Sequence, residues 1–335
     1  MNRLKVKRYW VWLFLIISGL AAILILKNIP PGELAQGLKI ISPSGLLGAL
    51  SAVLIMWVAD AMRLKVLSRA AGSNIGVATG LRLVWGGLLF SGITPFEFGG
   101  GAYQILLMNK KGLSSAESTA IITTKGLLAM IVLLVMAPVV LCLYPGVLPH
   151  SAFKYLMVVT CTLMSISSTI MVISCLRPMI VTSTGHKILS VFFKAHIIHR
   201  PTKTRWDKAW SVWADQCHSS FITIFRKGSG IYMTAATICT FVFLLGQFAV
   251  APLLLIGAGI HIDMWQLILL QFPLTVLLYF IPTPGSSGVA EGGFYVIFAS
   301  FAPPVLIGML TLMWRFLTFY LGMILGMIFV PVRAE

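Results

Sequence analysis

Long apolar runs separated by short polar breaks dominate the chain. The runs at 10–27, 44–62, 115–143, 154–176, 230–257 and 304–330 have the length of about 20 residues that a helix needs to cross a hydrocarbon core. They predict about six transmembrane helices. Two further apolar stretches, 83–108 and 265–301, are broken midway by Pro and Gly and do not read as simple spans. The longest polar stretch is 177–229. Within it Trp206, Trp210, Trp213, Cys217, Phe221 and Ile224 recur at three- and four-residue steps, one apolar helical stripe flanked by Lys and Arg. The stripe predicts an amphipathic helix lying on the anionic cytoplasmic leaflet over 205–227. A cap packed on the helix bundle is the other reading of the same stripe.

Composition agrees with lipid as the main solvent. Of 335 residues 58% are hydrophobic and 10% charged, whereas a soluble domain is charged at about a quarter of its positions. The chain therefore reads as a single polytopic membrane domain over 1–335, all-α, with no soluble catalytic part. No P-loop, G-x-S-x-G, H-E-x-x-H or strand–helix G-x-G-x-x-G is present. An enzyme is thus the less favoured class, and no cofactor is expected. The five cysteines, Cys142, Cys161, Cys175, Cys217 and Cys239, show no C-x-x-C spacing, so neither a disulfide framework nor a metal site is predicted.

The net charge is +16. In a membrane protein such an excess reads as topology rather than nucleic-acid binding, because cationic loops stay cytoplasmic. Lys27, Lys39 and Lys154 fall on one side of the bundle, Lys125 and Arg315 lie inside spans, and the other Lys and Arg fall on the opposite side. That bias predicts a multi-pass protein of the cytoplasmic membrane with both termini cytoplasmic. The N-terminal run ends at Lys27-Asn28-Ile29-Pro30-Pro31 without a small-residue cleavage pattern, which predicts an uncleaved first helix.

The same bias orients the two broken stretches. Arg82 and Lys110-Lys111 flank the first, so it should enter from the cytoplasm and return, turning at Ile93–Gly101. The second lies between weakly charged outer loops and should enter from outside, turning at Ile281–Gly293. Irregular backbone at membrane depth survives only against protein or along a wet cavity, since lipid satisfies no N–H or C=O. Both turns read Thr-Pro, then Glu, then a Gly pair, then an aromatic: Thr94, Pro95, Glu97, Gly100 and Tyr103 in one, Thr283, Pro284, Gly288, Glu291 and Phe294 in the other. Lys125 follows the first and Arg315 the second at nearly equal spacing. The pattern predicts an inverted repeat, about 44–143 and 230–330, with two re-entrant helical hairpins, as in alternating-access transporters.

An ionisable residue inside a membrane is a functional candidate by default. Glu97 paired with Lys125, and Glu291 paired with Arg315, are the expected constellations. Arg315 suits bidentate contact with phosphate and Lys125 acts as a point charge. The alternative is that each pair merely staples its hairpin. Asp60, with Arg63 three residues on, reads as an ion pair near a span end.

The segment I-P-T-P-G-S-S-G-V-A-E-G-G-F at Ile281–Phe294, followed by Trp314-Arg315 and a span bearing Tyr320, resembles the lysylphosphatidylglycerol synthase transmembrane-domain family, also called flippase-like domain proteins. That family is related to the N-terminal flippase part of multiple peptide resistance factor. The earlier F-G-G-G-A-Y-Q-I-L-L-M-N-K-K-G-L-S is similar to its first Gly motif, with Tyr103 and Gln104 where members often carry Arg. The resemblance covers 10–330 and implies a lipid-handling membrane domain in which Pro284, Gly288, Glu291 and Arg315 carry the late motif. Two-domain members add a soluble aminoacyl-transferase domain. The chain ends at Glu335, so by that pattern it is not expected to be a lysyl-lipid synthase.

The substrate-binding set expected from these arguments is Pro95, Glu97, Gly100, Lys125, Pro284, Gly288, Glu291 and Arg315, with no catalytic residue. The function expected is a flippase or transporter for a phosphate-bearing lipid, of phospholipid or polyprenyl-phosphate type. An intramembrane transferase using Glu291 as base, and a secondary transporter of a small solute, stay open. Membrane lipid is the expected partner, nucleic acid is not, and the many small residues in the spans leave homo-oligomerisation open.

Overall fold

Ser42 opens the first described helix. Its Oγ accepts the Gly45 N–H at 3.3 Å, and Pro43 takes the first helical position, where a missing N–H costs nothing. The helix, α1, runs Pro43–Ala70. It belongs to a computed structural model that describes residues 4–6, 41–143, 151–194, 200–226, 229–260, 263–299, 301–330 and 332–334. Then come α2 (Val77–Gly92), a tight turn at Pro95–Glu97, α3 (Phe98–Lys110), α4 (Ser115–Leu143) and α5 (Ser151–Leu176). Next are α6 (Pro178–Lys194), α7 (Arg200–Phe225) and α8 (Gly230–Gly257). The last third holds α9 (Met264–Leu278), a second tight turn at Pro284–Ser286, α10 (Val289–Phe298) and α11 (Pro304–Arg315). A π-helical turn at Phe316–Tyr320 joins α11 to α12 (Leu321–Phe329). Leu4–Val6 and Val332–Ala334 pair as two short parallel strands.

Among the described residues five stretches are long and apolar enough to cross a membrane: Pro43–Ala70, Ser115–Met136, Val158–Leu176, Gly230–Gly257 and Pro304–Phe329. The first expected span, 10–27, lies outside the described residues. In the two broken stretches α2 and α9 are apolar but short. At 1.5 Å per residue they reach about 24 and 22 Å, less than the roughly 30 Å of a hydrocarbon core.

The centre of the bundle is the pairing of α1 with α8. A Cβ at Gly45 would stand 2.4 Å from the Gly257 Cα, and one at Gly246 would stand 3.0 Å from the Ala52 carbonyl oxygen. Further along, Arg63 reaches Thr240. Contacts that fall in number on α8 as they rise on α1 make the two helices antiparallel. The unit α2–turn–α3 therefore follows the end of α1, and the unit α9–turn–α10 follows the end of α8, at opposite ends of the pair. Gly326 and Gly322 of α12 fit against Trp85 and Leu88 of α2.

Two details differ from the sequence expectation. The glycines Gly99–Gly101 and Gly292–Gly293 are not in the turns but in α3 and α10. In α3 they allow contact rather than bending: a Cβ at Gly100 would meet Ser91 Oγ at 2.3 Å and the Gly87 oxygen at 2.8 Å. The stretch 177–229 holds two helices, and from Trp210 to Ile224 the stripe of α7 packs on protein, whereas Trp206 is 49% exposed. Trp210 Nε1 donates to Val181 O at 2.9 Å, His218 Nδ1 lies 2.8 Å from Cys175 O, and Phe221 and Ile224 are buried. An apolar stripe packs on protein as readily as on lipid, so its period alone does not name the neighbour. Arg205, Lys208 and Arg226 stay exposed on other faces of that segment.

Candidate functional site

The two tight turns meet. Ser286 Oγ donates to Glu97 Oε1 at 2.9 Å, and a Cβ on Gly285 would stand 3.2 Å from the Gly92 Cα. Among the described residues the non-glycine positions with positive φ are Phe96, Glu97 and Ser286, all in these turns. Each left-handed non-glycine residue costs about 1–3 kcal/mol and persists only where its surroundings over-determine it. Here Thr94 Oγ1 donates to Phe90 O at 2.7 Å and accepts Gly99 N–H at 2.9 Å. Ser91 Oγ donates to the Glu97 carbonyl at 3.1 Å. In the second turn Thr283 Oγ1 donates to Ser287 O at 3.0 Å. Gly285 and Gly288, at φ 58 and 85, take conformations that an L side chain would strain.

Around this junction lies the Glu291–Arg315 pair. Arg315 Nε donates to Glu291 Oε1 at 3.0 Å, and its Nη2 donates to the Gly285 carbonyl. The guanidinium stacks over Phe319, 4.2 Å from the ring centre. Glu291 Oε2 accepts the Gly288 N–H at 2.7 Å, which closes the start of α10, and Tyr320 OH donates to Oε1 at 3.2 Å. Both charged side chains are almost wholly buried, at 1% and 4% exposure. The π turn follows Arg315 directly, and such turns recur at functional sites.

Lys125 stands elsewhere than expected. Its Nζ donates to Asp60 Oδ2 at 2.8 Å rather than to Glu97. Asp60 Oδ1 accepts Arg63 Nη2 at 2.5 Å and Nε at 3.1 Å. Arg63 also reaches Thr240 Oγ1 at 3.4 Å and lies over the Phe243 ring at 4.8 Å. Asp60 and Arg63 are both buried within the bundle, and α1 carries on for ten residues beyond Asp60. The cluster holds one carboxylate against two cations. Tyr279 lies within electrostatic reach of Arg63, Asp60 and Glu97, and Glu97 within that of Arg315. Tyr279 keeps 42% of its surface accessible.

Of the expected set, Pro95, Glu97, Pro284, Gly288, Glu291 and Arg315 come together at the junction. Gly100 is a packing residue between α3 and α2, and Lys125 belongs to the second cluster. Tyr103 and Gln104 are spent inside the first unit, on Arg82 O at 3.4 Å and Leu83 O at 3.1 Å. Ser286 and Tyr320, which lie in the late motif but outside the expected binding set, join the site, and Asp60 and Tyr279 join it without a motif. The one available signal was Asp60 itself, a carboxylate in an apolar run. Among the described residues no group of three or more His, Cys, Asp or Glu could hold a metal ion. Outside the spans, burial pushes the Cys217 thiol up to about 12, which removes it as a nucleophile at neutral pH.

The sequence profile of the lysylphosphatidylglycerol synthase TM region matches residues 11–326. A UPF0104 membrane protein of Archaeoglobus fulgidus is 22% identical over 276 residues, which is 81% of each chain.

Proposed function

Because the chain belongs to the lysylphosphatidylglycerol synthase TM region family, we propose that it is a lipid flippase or transporter for a phosphate-bearing lipid of the cytoplasmic membrane. The observation that carries the reading is the junction of the two turns. Two helix–turn–helix units, attached at opposite ends of an antiparallel helix pair, bring strained tips into contact around a buried Glu291–Arg315 pair.

On this reading the units are re-entrant hairpins of an inverted repeat, and the tips form the barrier between two access routes. Each leg is too short to cross the hydrocarbon, which is what re-entry from either face requires. The headgroup passes the junction at Glu97, Tyr279 and Arg315 while its chains stay in lipid. The basic loops lie on the cytoplasmic side, both termini with them. Arg205, Lys208 and Arg226 face the anionic leaflet. Glu291, committed to Arg315, Gly288 and Tyr320, is poorly placed as a general base, and this favours transport over intramembrane transfer chemistry.

Purified protein reconstituted in vesicles with a fluorescent phospholipid tests the proposal. The wild type should accelerate translocation above protein-free vesicles, and Arg315→Ala should remove most of that acceleration. Equal rates for the two proteins would reject the site, and no acceleration with any phosphate-bearing lipid would reject the function.

A further inference from the structure

The Asp60–Arg63–Lys125 cluster adjoins a feature of opposite character. A groove of about 260 Å3, lined only by hydrocarbon, aromatic and thioether side chains, runs between α4, α8 and α9. Thr240 and Phe243, the two α8 residues that contact Arg63, are followed at once by Leu244 and then Phe248 in the groove wall. On α4, Val132 of the groove lies two helical turns beyond Lys125, on the same face. The floor, with Val132, Leu244, Phe248, Ile268 and Phe272, is buried, whereas Leu245 and Trp265 at the mouth are exposed. The groove is thus open to the surroundings along its side, and its inner end lies about one helical turn from Thr240 on α8 and two from Lys125 on α4, next to two cations that share one carboxylate.

A soluble anion makes no use of the groove, and a neutral hydrocarbon makes no use of the cluster. We propose that together they bind one anionic lipid, its headgroup at Lys125 and Arg63 and one acyl chain along the groove. The binding site rests on the lipid-transport reading for its physiological role but not for its existence. The direction is informative. The cluster lies about 15 Å in from the end where α1 finishes, ten residues at 1.5 Å each, and the groove extends away from that end. A lipid held so has its head towards the Arg69, Arg82 and Lys110 side and its tail away from it. That is the orientation of a lipid taken from the leaflet bordering the basic loops and drawn inward, so this leaflet supplies the substrate.

Photolabelling at equilibrium tests the site without requiring transport. The protein in nanodiscs is irradiated with a phosphatidylglycerol carrying a diazirine in one acyl chain, and labelled peptides are identified by mass spectrometry. Adducts are expected on 132–139 and 241–248, suppressed by unlabelled phosphatidylglycerol and not by phosphatidylcholine. Lys125→Gln, which leaves Asp60 paired with Arg63, should lower labelling about tenfold, as loss of one charge-assisted contact does. Leu244→Trp should fill the groove and abolish it. Equal competition by phosphatidylcholine on the wild-type protein would overturn the proposal and leave ordinary boundary lipid, whatever the variants do. Translocation without groove labelling would remove this site and spare the transport reading. Groove labelling without translocation would do the reverse.

Discussion

A guanidinium taken out of water must recover its hydration from protein, and Arg315 does so through Glu291, the Gly285 carbonyl and the Phe319 ring. Such a pair adds little net stability against an apolar replacement, but breaking it strands a charge, at about 3–5 kcal/mol. Glu291→Ala should therefore destabilise by that amount, read as a large fall in thermal midpoint by Trp fluorescence in detergent. Ser286→Ala, which removes one hydroxyl bonded to Glu97 and Leu278 O, should lose about 1 kcal/mol. Comparable losses for the two would mean that Arg315 is less dependent on Glu291 than its burial requires. The same asymmetry explains the second cluster. Asp60 is the sole carboxylate between Arg63 and Lys125, so its position near the middle of α1 is tolerated only because both cations reach it.

At the scale of elements, glycine decides how closely helices approach, and the described glycines divide into two kinds. A Cβ at Gly326 would stand 2.5 Å from the Trp85 backbone oxygen, and one at Gly100 2.8 Å from that of Gly87, whereas one at Gly292 meets nothing within 4 Å. Gly326→Ala and Gly100→Ala should each lose about 1–3 kcal/mol through forced separation of α12 or α3 from α2. Gly292→Ala should gain about 0.5–1 kcal/mol from helix propensity. If the open space at Gly292 belongs to the substrate, that stabler variant should translocate lipid more slowly, and a gain in stability with an unchanged rate would place Gly292 outside the path. These elements also mark the limit of what the sequence discloses. The broken stretches were legible because Pro and Gly interrupt apolar runs, and the Glu291–Arg315 pair because both charges lie in one repeat on successive helices. The partner of Lys125 was not legible. Asp60 is 65 residues away, and which carboxylate a buried cation finds depends on the rotation of α4 against α1. Nor did the stripe of α7 disclose that its part from Trp210 to Ile224 packs on protein, since amphipathic period is the same for either neighbour.

For the whole molecule the question is whether the contact of the two tips is a fixed joint or a closed gate. Their geometry argues for a gate. The polar contact between them at Ser286–Glu97 is a single hydrogen bond, worth about 1 kcal/mol, while each tip is braced internally by Thr94, Ser91 or Thr283. Units rigid within and weakly joined to each other separate as bodies. On the proposed transport reading a lipid headgroup crossing between opposite ends of the α1–α8 pair passes this point, and the tips would have to part once in every cycle. Glu97→Cys combined with Ser286→Cys, in a background without other cysteines, should accept a short methanethiosulfonate crosslinker. Translocation should then stop and return on reduction, with the reduced double variant as its own reference. Crosslinked protein that translocates at the reduced rate would show that the tips never open, and the path would have to run along the outside of the bundle.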